Sequence, residues 1–156
     1  MRGASALDDL LAEFPDAPVR VHVIWEPVLV TDIAPPMTSV LRLLDDPRVT
    51  QYWDPELVVS GDIVRAVNSD PGRYGFDEPL PPGFVAWDVV AVFGRSELWQ
   101  GDLPVPAYYG GPVVGVVDET RRALAAELAD GGIAEPGGYR SASSRTSTSP
   151  APTASM

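Results

Sequence analysis

Three times in this chain a tryptophan stands beside a carboxylate: Trp25-Glu26-Pro27, Trp53-Asp54-Pro55 and Trp87-Asp88. A further acid, Asp32, follows the first pair in the stretch V-L-V-T-D-I-A-P-P-M. Carboxylates brought together could bind a hard cation such as Ca²⁺ or Mg²⁺, which takes oxygen ligands. Crowded, they could raise one another's pKa and leave one protonated as a general acid. Flat indole faces beside acids could grip a cationic or sugar-like ligand. A purely structural role competes with all three. In it each Trp fills the rim of the core and each acid caps the next helix, Asp54 ahead of Pro55 and Asp32 ahead of a helix near Pro35. The candidate ligand-binding residues are therefore Trp25, Glu26, Asp32, Trp53, Asp54, Trp87 and Asp88, with no residue assigned to catalysis or to a metal and no cofactor implied.

Other chemistry-bearing residues are poorer candidates. His22 is the only histidine and falls inside an apolar run, which suits a hydrogen-bonded interior or semi-buried side chain. A Ser-His-Asp triad would need that same histidine, and no G-x-S-x-G is present. The glycines at 72–76, 110–111 and 131–132 read as turns, since none follows a strand as a phosphate loop does. Tyr108-Tyr109 reads as a recognition patch or as loop side chains over a hairpin, and Arg121-Arg122 as a solvated helix face.

Composition narrows the field. The chain has 156 residues, enough for one domain with a core. Its 22 acids outnumber 11 basic residues, all arginine, for a net charge of −11. That balance argues against a nucleic-acid or anionic-membrane partner, both of which need basic neutralisation. A protein or small-molecule ligand is the expected partner. The absence of cysteine rules out disulfides, thiol catalysis and thiolate metal sites. No apolar stretch reaches the roughly 18–20 residues of a membrane span, and the N-terminus lacks the pattern of a signal peptide, so a cytoplasmic location is expected by default.

The elements that must position the Trp–acid pairs follow from periodicity. Ser5–Phe14 has apolar residues at helical spacing, and residues 1–18 read as an N-terminal amphipathic helix segment. Val19–Trp25 is rich in Val and Ile on both faces, which predicts a central strand covered on both sides. Pro35–Leu44 reads as a helix, Val49–Trp53 as a short strand, and Pro55–Val67 as another helix. Residues 68–83 are turn-rich. Phe84–Phe93 reads as a strong strand joined through Gly94-Arg95-Ser96 to a hairpin partner at Glu97–Gln100. Val113–Val117 reads as a short extended piece, and Asp118–Ala129 reads as a helix stopped by Gly131-Gly132. Residues 135–156 are Ser/Thr/Pro-rich and expected to be disordered.

The order α, β, α, β, α, β, β, α, with V-R-V-H-V-I-W leading through a loop to the helix at Pro35, resembles the thioredoxin-like superfamily over roughly Val19 to Leu128. The resemblance implies a three-layer α/β/α sandwich around a mixed, roughly four-stranded sheet across residues 19–134. It also implies a cis-proline before the third core strand, where Pro81 or Pro82 stands. The family's Cys-x-x-Cys is replaced here by T-D-I-A-P-P, so its dithiol chemistry has no counterpart. The expected function is a non-redox, thioredoxin-like binding or interaction domain. The alternative is a small enzyme or metal-binding protein using an acidic cluster at the sheet edge, where Glu26, Asp32, Asp54 and Asp88 would converge. Dimerisation through an exposed edge strand is a third reading.

Overall fold

The computed structural model describes residues 2–95 and 97–130. Among them are α1 (Arg2–Ala12), β1 (Val21–Trp25), α2 (Thr38–Leu41), β2 (Val49–Trp53), α3 (Val58–Ser69), β3 (Val90–Val92), β4 (Tyr108–Gly110) and α4 (Val117–Asp130). Short 3-10 turns cover Pro71–Tyr74 and Val113–Gly115. The expected tail at 135–156 and the Gly131-Gly132 stop lie outside the described residues.

The thioredoxin-like sandwich is corrected. β1 and β2 form a two-stranded parallel sheet, and β3 and β4 form a separate two-stranded antiparallel sheet. No mixed four-stranded sheet is present among the described residues. The cis peptide bond they contain is Gly111–Pro112, not a bond at Pro81 or Pro82.

Local backbone chemistry accounts for the difference. The run Phe84–Phe93 turns away in its first half. Trp87 N–H donates back to Val85 O at 2.9 Å, and Asp88 takes a φ of 52°. That left-handed conformation interrupts an extended strand, so only Val90–Val92 remains. It pairs with Tyr108–Gly110 rather than with Glu97–Gln100, and Gln100 makes an isolated bridge to Asp102. The β1–β2 sheet also has a bare face. Strand residues alternate between faces, and His22, Thr50 and Tyr52, which share one face, are all exposed. β1 is thus an edge strand, not a central one.

The helices depart from their expected bounds for similar reasons. Pro35 and Pro36 bring no N–H and hold the residues before them extended. Met37, at the cap, makes no side-chain hydrogen bond, and α2 is a single turn. Leu57 lies in the left-handed region at φ 57°, which delays α3 to Val58. α4 matches its expected span to within one residue at each end. The buried apolar residues are Leu10, Leu11, Leu44, Val67, Val92 and Leu103, contributed by α1, α3, β3 and the connecting segments.

The molecule divides into two halves. α1 and α4 pack together, and α4 also packs on β3 and β4. β1, β2 and the helices α2 and α3 make the other half. Arg48, one residue before β2, joins them. Its guanidinium donates to Leu11 O at 2.9 Å and to Phe14 O at 2.5 Å, adding a second donor to carbonyls that already accept from Phe14 N–H and Ala17 N–H at the end of α1. The same group grips Asp46 through Nε–Oδ1 at 2.9 Å and Nη2–Oδ2 at 2.5 Å. Within the first half, Arg121 of α4 pairs with Glu13 just after α1 at 2.7 Å and with Asp118, so it is not the solvated side chain its sequence suggests.

Hydrogen bonding to Arg48 lowers the Asp46 carboxyl from 3.8 to about 2. A depressed folded-state pKa contributes stability that is present above 3.8 and lost as pH falls toward about 2. The urea midpoint is therefore expected to fall between these two values, and to fall less steeply across that window in Asp46→Asn. Equal slopes for the two proteins would contradict the assignment.

Candidate functional site

Trp25 and Trp53 close the two strands of the parallel sheet as register partners, so Glu26 and Asp54 leave it side by side. Both acids turn to α3. The first N–H groups of a helix have no partner within it, and Leu57 provides no side-chain cap. Asp54 Oδ2 accepts from Val59 N–H at 2.8 Å, and Glu26 Oε1 accepts from Ser60 N–H at 2.9 Å. The positive end of the helix dipole adds to both interactions. Asp54 caps from outside the N-cap position, and Glu26 caps from another element altogether.

Glu26 reaches one step further. Its Oε2 accepts from Ser60 Oγ at 2.5 Å, and Ser60 Oγ accepts from Ala86 N–H at 2.8 Å. Ser60 is 1% exposed. This carboxylate–hydroxyl–amide chain ties the end of β1, the start of α3 and the segment entering β3. Trp25 is fixed nearby: its Nε1–H donates to Gln51 Oε1 at 3.0 Å, and Gln51 Nε2 donates to Leu41 O at 2.9 Å and Leu44 O at 3.1 Å.

The remaining candidates lie elsewhere. Asp32 folds back on its own loop, where Oδ2 accepts from Val28 N–H at 3.1 Å and Leu29 N–H at 2.9 Å. It caps no helix. Asp88 sits at the start of α1, where a Cβ on Gly3 would lie 2.8 Å from its Oδ1. Its carbonyl accepts from Val113 N–H at 3.1 Å. Trp87 is 69% exposed. The structure thus gathers Trp25, Glu26, Trp53 and Asp54 and leaves Asp32, Trp87 and Asp88 with other surroundings. Among the described residues no three His, Cys, Asp or Glu side chains gather as a metal would require.

No family model, curated protein or solved structure matches this chain.

The larger feature is a cleft of about 1880 Å³ between the two halves. Every residue from Pro18 through Glu26 lines it on one side, and every residue from Ala86 through Arg95 on the other. Consecutive strand residues point to opposite faces, so the free edge of β1 itself borders the space. The two joints stand at the two ends of β1. Val21 N–H donates to Arg48 O at 3.0 Å at its start, and Glu26 with Ser60 follows its end. The cleft continues to Val28 and Leu29 in the loop after β1.

That loop presents apolar side chains to solvent, with Val30 98%, Ile33 89% and Met37 72% exposed. His22, expected as a hydrogen-bonded interior or semi-buried side chain, is exposed; it stacks on Tyr52 with ring centroids 5.8 Å apart and lies 3.3 Å through Nδ1 from the Tyr52 hydroxyl. Tyr108 and Tyr109 form β4, and burial raises the Tyr109 phenol above its ordinary range. Arg48, Gln51 and Ser60 were invisible to sequence reasoning as positioning residues. The usable signal was Ser60, a polar residue directly after Val58-Val59 at a helix start.

Ser60→Ala removes the hydroxyl and leaves the Ala86 N–H without its partner. It is expected to cost about 1–3 kcal/mol, read as a lower urea midpoint, whereas Ser69→Ala on the exposed end of α3 is expected to change it little. Equal effects would deny Ser60 its coupling role.

Proposed function

We propose that this chain is a binding domain without redox chemistry, taking its ligand into the cleft between the two halves, with the loop from Val28 to Met37 as the mouth. The observation that carries this reading is the cleft itself. Its volume of about 1880 Å³ exceeds the roughly 300–1,000 Å³ of small-molecule sites, and apolar strand residues make up much of its wall. Contiguous exposed apolar surface of the kind the loop offers marks interaction sites in soluble proteins. Asp32 supports the same reading, since it holds the turn that projects Val30 and Ile33 outward. The carboxylates that an enzyme or metal site would need are engaged differently: Glu26 and Asp54 serve backbone N–H groups of α3.

An apolar fluorescent dye, bis-ANS, tests this directly. Saturable binding with a strong emission rise is expected. The double variant Val30→Asp/Ile33→Asp is expected to weaken it severalfold while leaving the urea midpoint within about 0.5 kcal/mol of the parent, as exposed substitutions do. Absence of saturable binding would overturn the proposal.

A further inference from the structure

The cleft has a property that a simple apolar pocket lacks: one wall is an unpaired strand edge. Val21 N–H and Trp25 O both bond toward the β2 side, through Arg48 O and Asp54 N–H. In a parallel ladder alternate residues bond to the same neighbour. The N–H and C=O groups of His22 and Ile24 therefore point the other way, into the cleft. β3 spends its bonds on the β4 side, where Val92 O accepts from Ala107 N–H at 2.7 Å, and it shares no ladder with β1. Two strand edges thus face a common space, with no strand between them among the described residues.

We propose, resting on the binding-domain reading above, that the ligand is an extended basic segment of another polypeptide, added as a strand to the free edge of β1. Main-chain hydrogen bonds to His22 and Ile24 would hold it, as in strand addition to other exposed sheet edges. The length fits a short segment. The five residues of β1 span about 17 Å at roughly 3.3 Å per residue, and the two joints close this edge at both ends.

Charge selects the partner. The cleft is bordered by six carboxylates, Glu26, Asp32, Asp54, Asp88, Glu97 and Glu127, against three arginines. The chain as a whole carries −11. A segment alternating apolar residues with Arg or Lys satisfies the apolar walls and this excess together. An acidic segment would meet like charge.

Selection of displayed random dodecapeptides on the full-length protein supplies the probe. Enrichment of sequences alternating β-branched or aromatic residues with Arg or Lys is expected. The best of them is then titrated by fluorescence anisotropy against the parent, Ile24→Val and Ile24→Pro. Proline at this position removes the donor facing the cleft, fixes φ and replaces the isoleucine side chain, while the N–H groups that bond to β2 stay in place. Loss of one such bond is expected to weaken binding roughly tenfold in Ile24→Pro and little in Ile24→Val. Should Ile24→Pro not fold, the same peptide with alternate backbone nitrogens methylated, offered to the parent protein, reads the same bond and is expected to lose binding.

No enrichment, enrichment of acidic or patternless sequences, or equal binding by Ile24→Pro or by the methylated peptide would each overturn the strand-addition proposal. If bis-ANS still binds saturably in that case, the cleft remains a binding site for another ligand. If the dye also fails, both readings fall.

Discussion

One buried hydroxyl couples the two halves of the molecule. Ser60 Oγ donates to Glu26 and accepts from Ala86 N–H, and it is almost without solvent contact. A hydroxyl offers one donor and more than one acceptor site, so it can join a carboxylate to an amide without leaving either unpaired. Removing water strengthens each bond and raises the cost of losing one. This joint lies just beyond the end of β1, and Arg48 makes the opposite one near its start. Between them the edge of β1 is held facing β3 without closing onto it.

The same constraint explains how the acids are used. A chain with twice as many acids as bases has to place carboxylates where positive charge or N–H groups offset them. Glu26 and Asp54 find the N-terminus of α3, Asp46 finds Arg48, and Glu13 finds Arg121. Along the cleft as a whole, counting Glu26 and Asp54, six carboxylates stand against three arginines on largely apolar walls. Without cysteine, the loop after β1 has no thiol chemistry to perform, and it instead displays apolar side chains around a turn closed by Asp32.

Much of the local structure was legible in the chain. β1, β2 and α4 stand where apolar periodicity and proline breaks put them, and the pairing of Trp25 with Trp53 follows from two parallel strands of equal length. The sheet was not legible. Gly94-Arg95-Ser96 offers a local hairpin, yet β3 takes a partner beyond it, at Tyr108–Gly110. A pairing so distant in sequence depends on tertiary packing that short-range turn chemistry does not encode. The left-handed Asp88 that shortens β3 likewise has no signature in an apolar run. For the site, the first two copies of the Trp–acid pattern place Asp54 and Glu26 on the neighbouring N–H groups of Val59 and Ser60, but the third copy differs because Trp87-Asp88 precedes its strand in a turn. Arg48 acts across the fold on the carbonyls of Leu11 in α1 and Phe14 just after it, a relation visible only in three dimensions.

Everything proposed for the cleft depends on β1 keeping one edge unpaired. Amide hydrogen exchange, resolved residue by residue in the free protein, measures it most directly. Slow exchange is expected for Val23 and Trp25, whose N–H groups belong to the β2 ladder, and fast exchange for His22 and Ile24, whose N–H groups face the cleft. Equal protection of all four amides would mean that the edge is already paired, and would contradict the account.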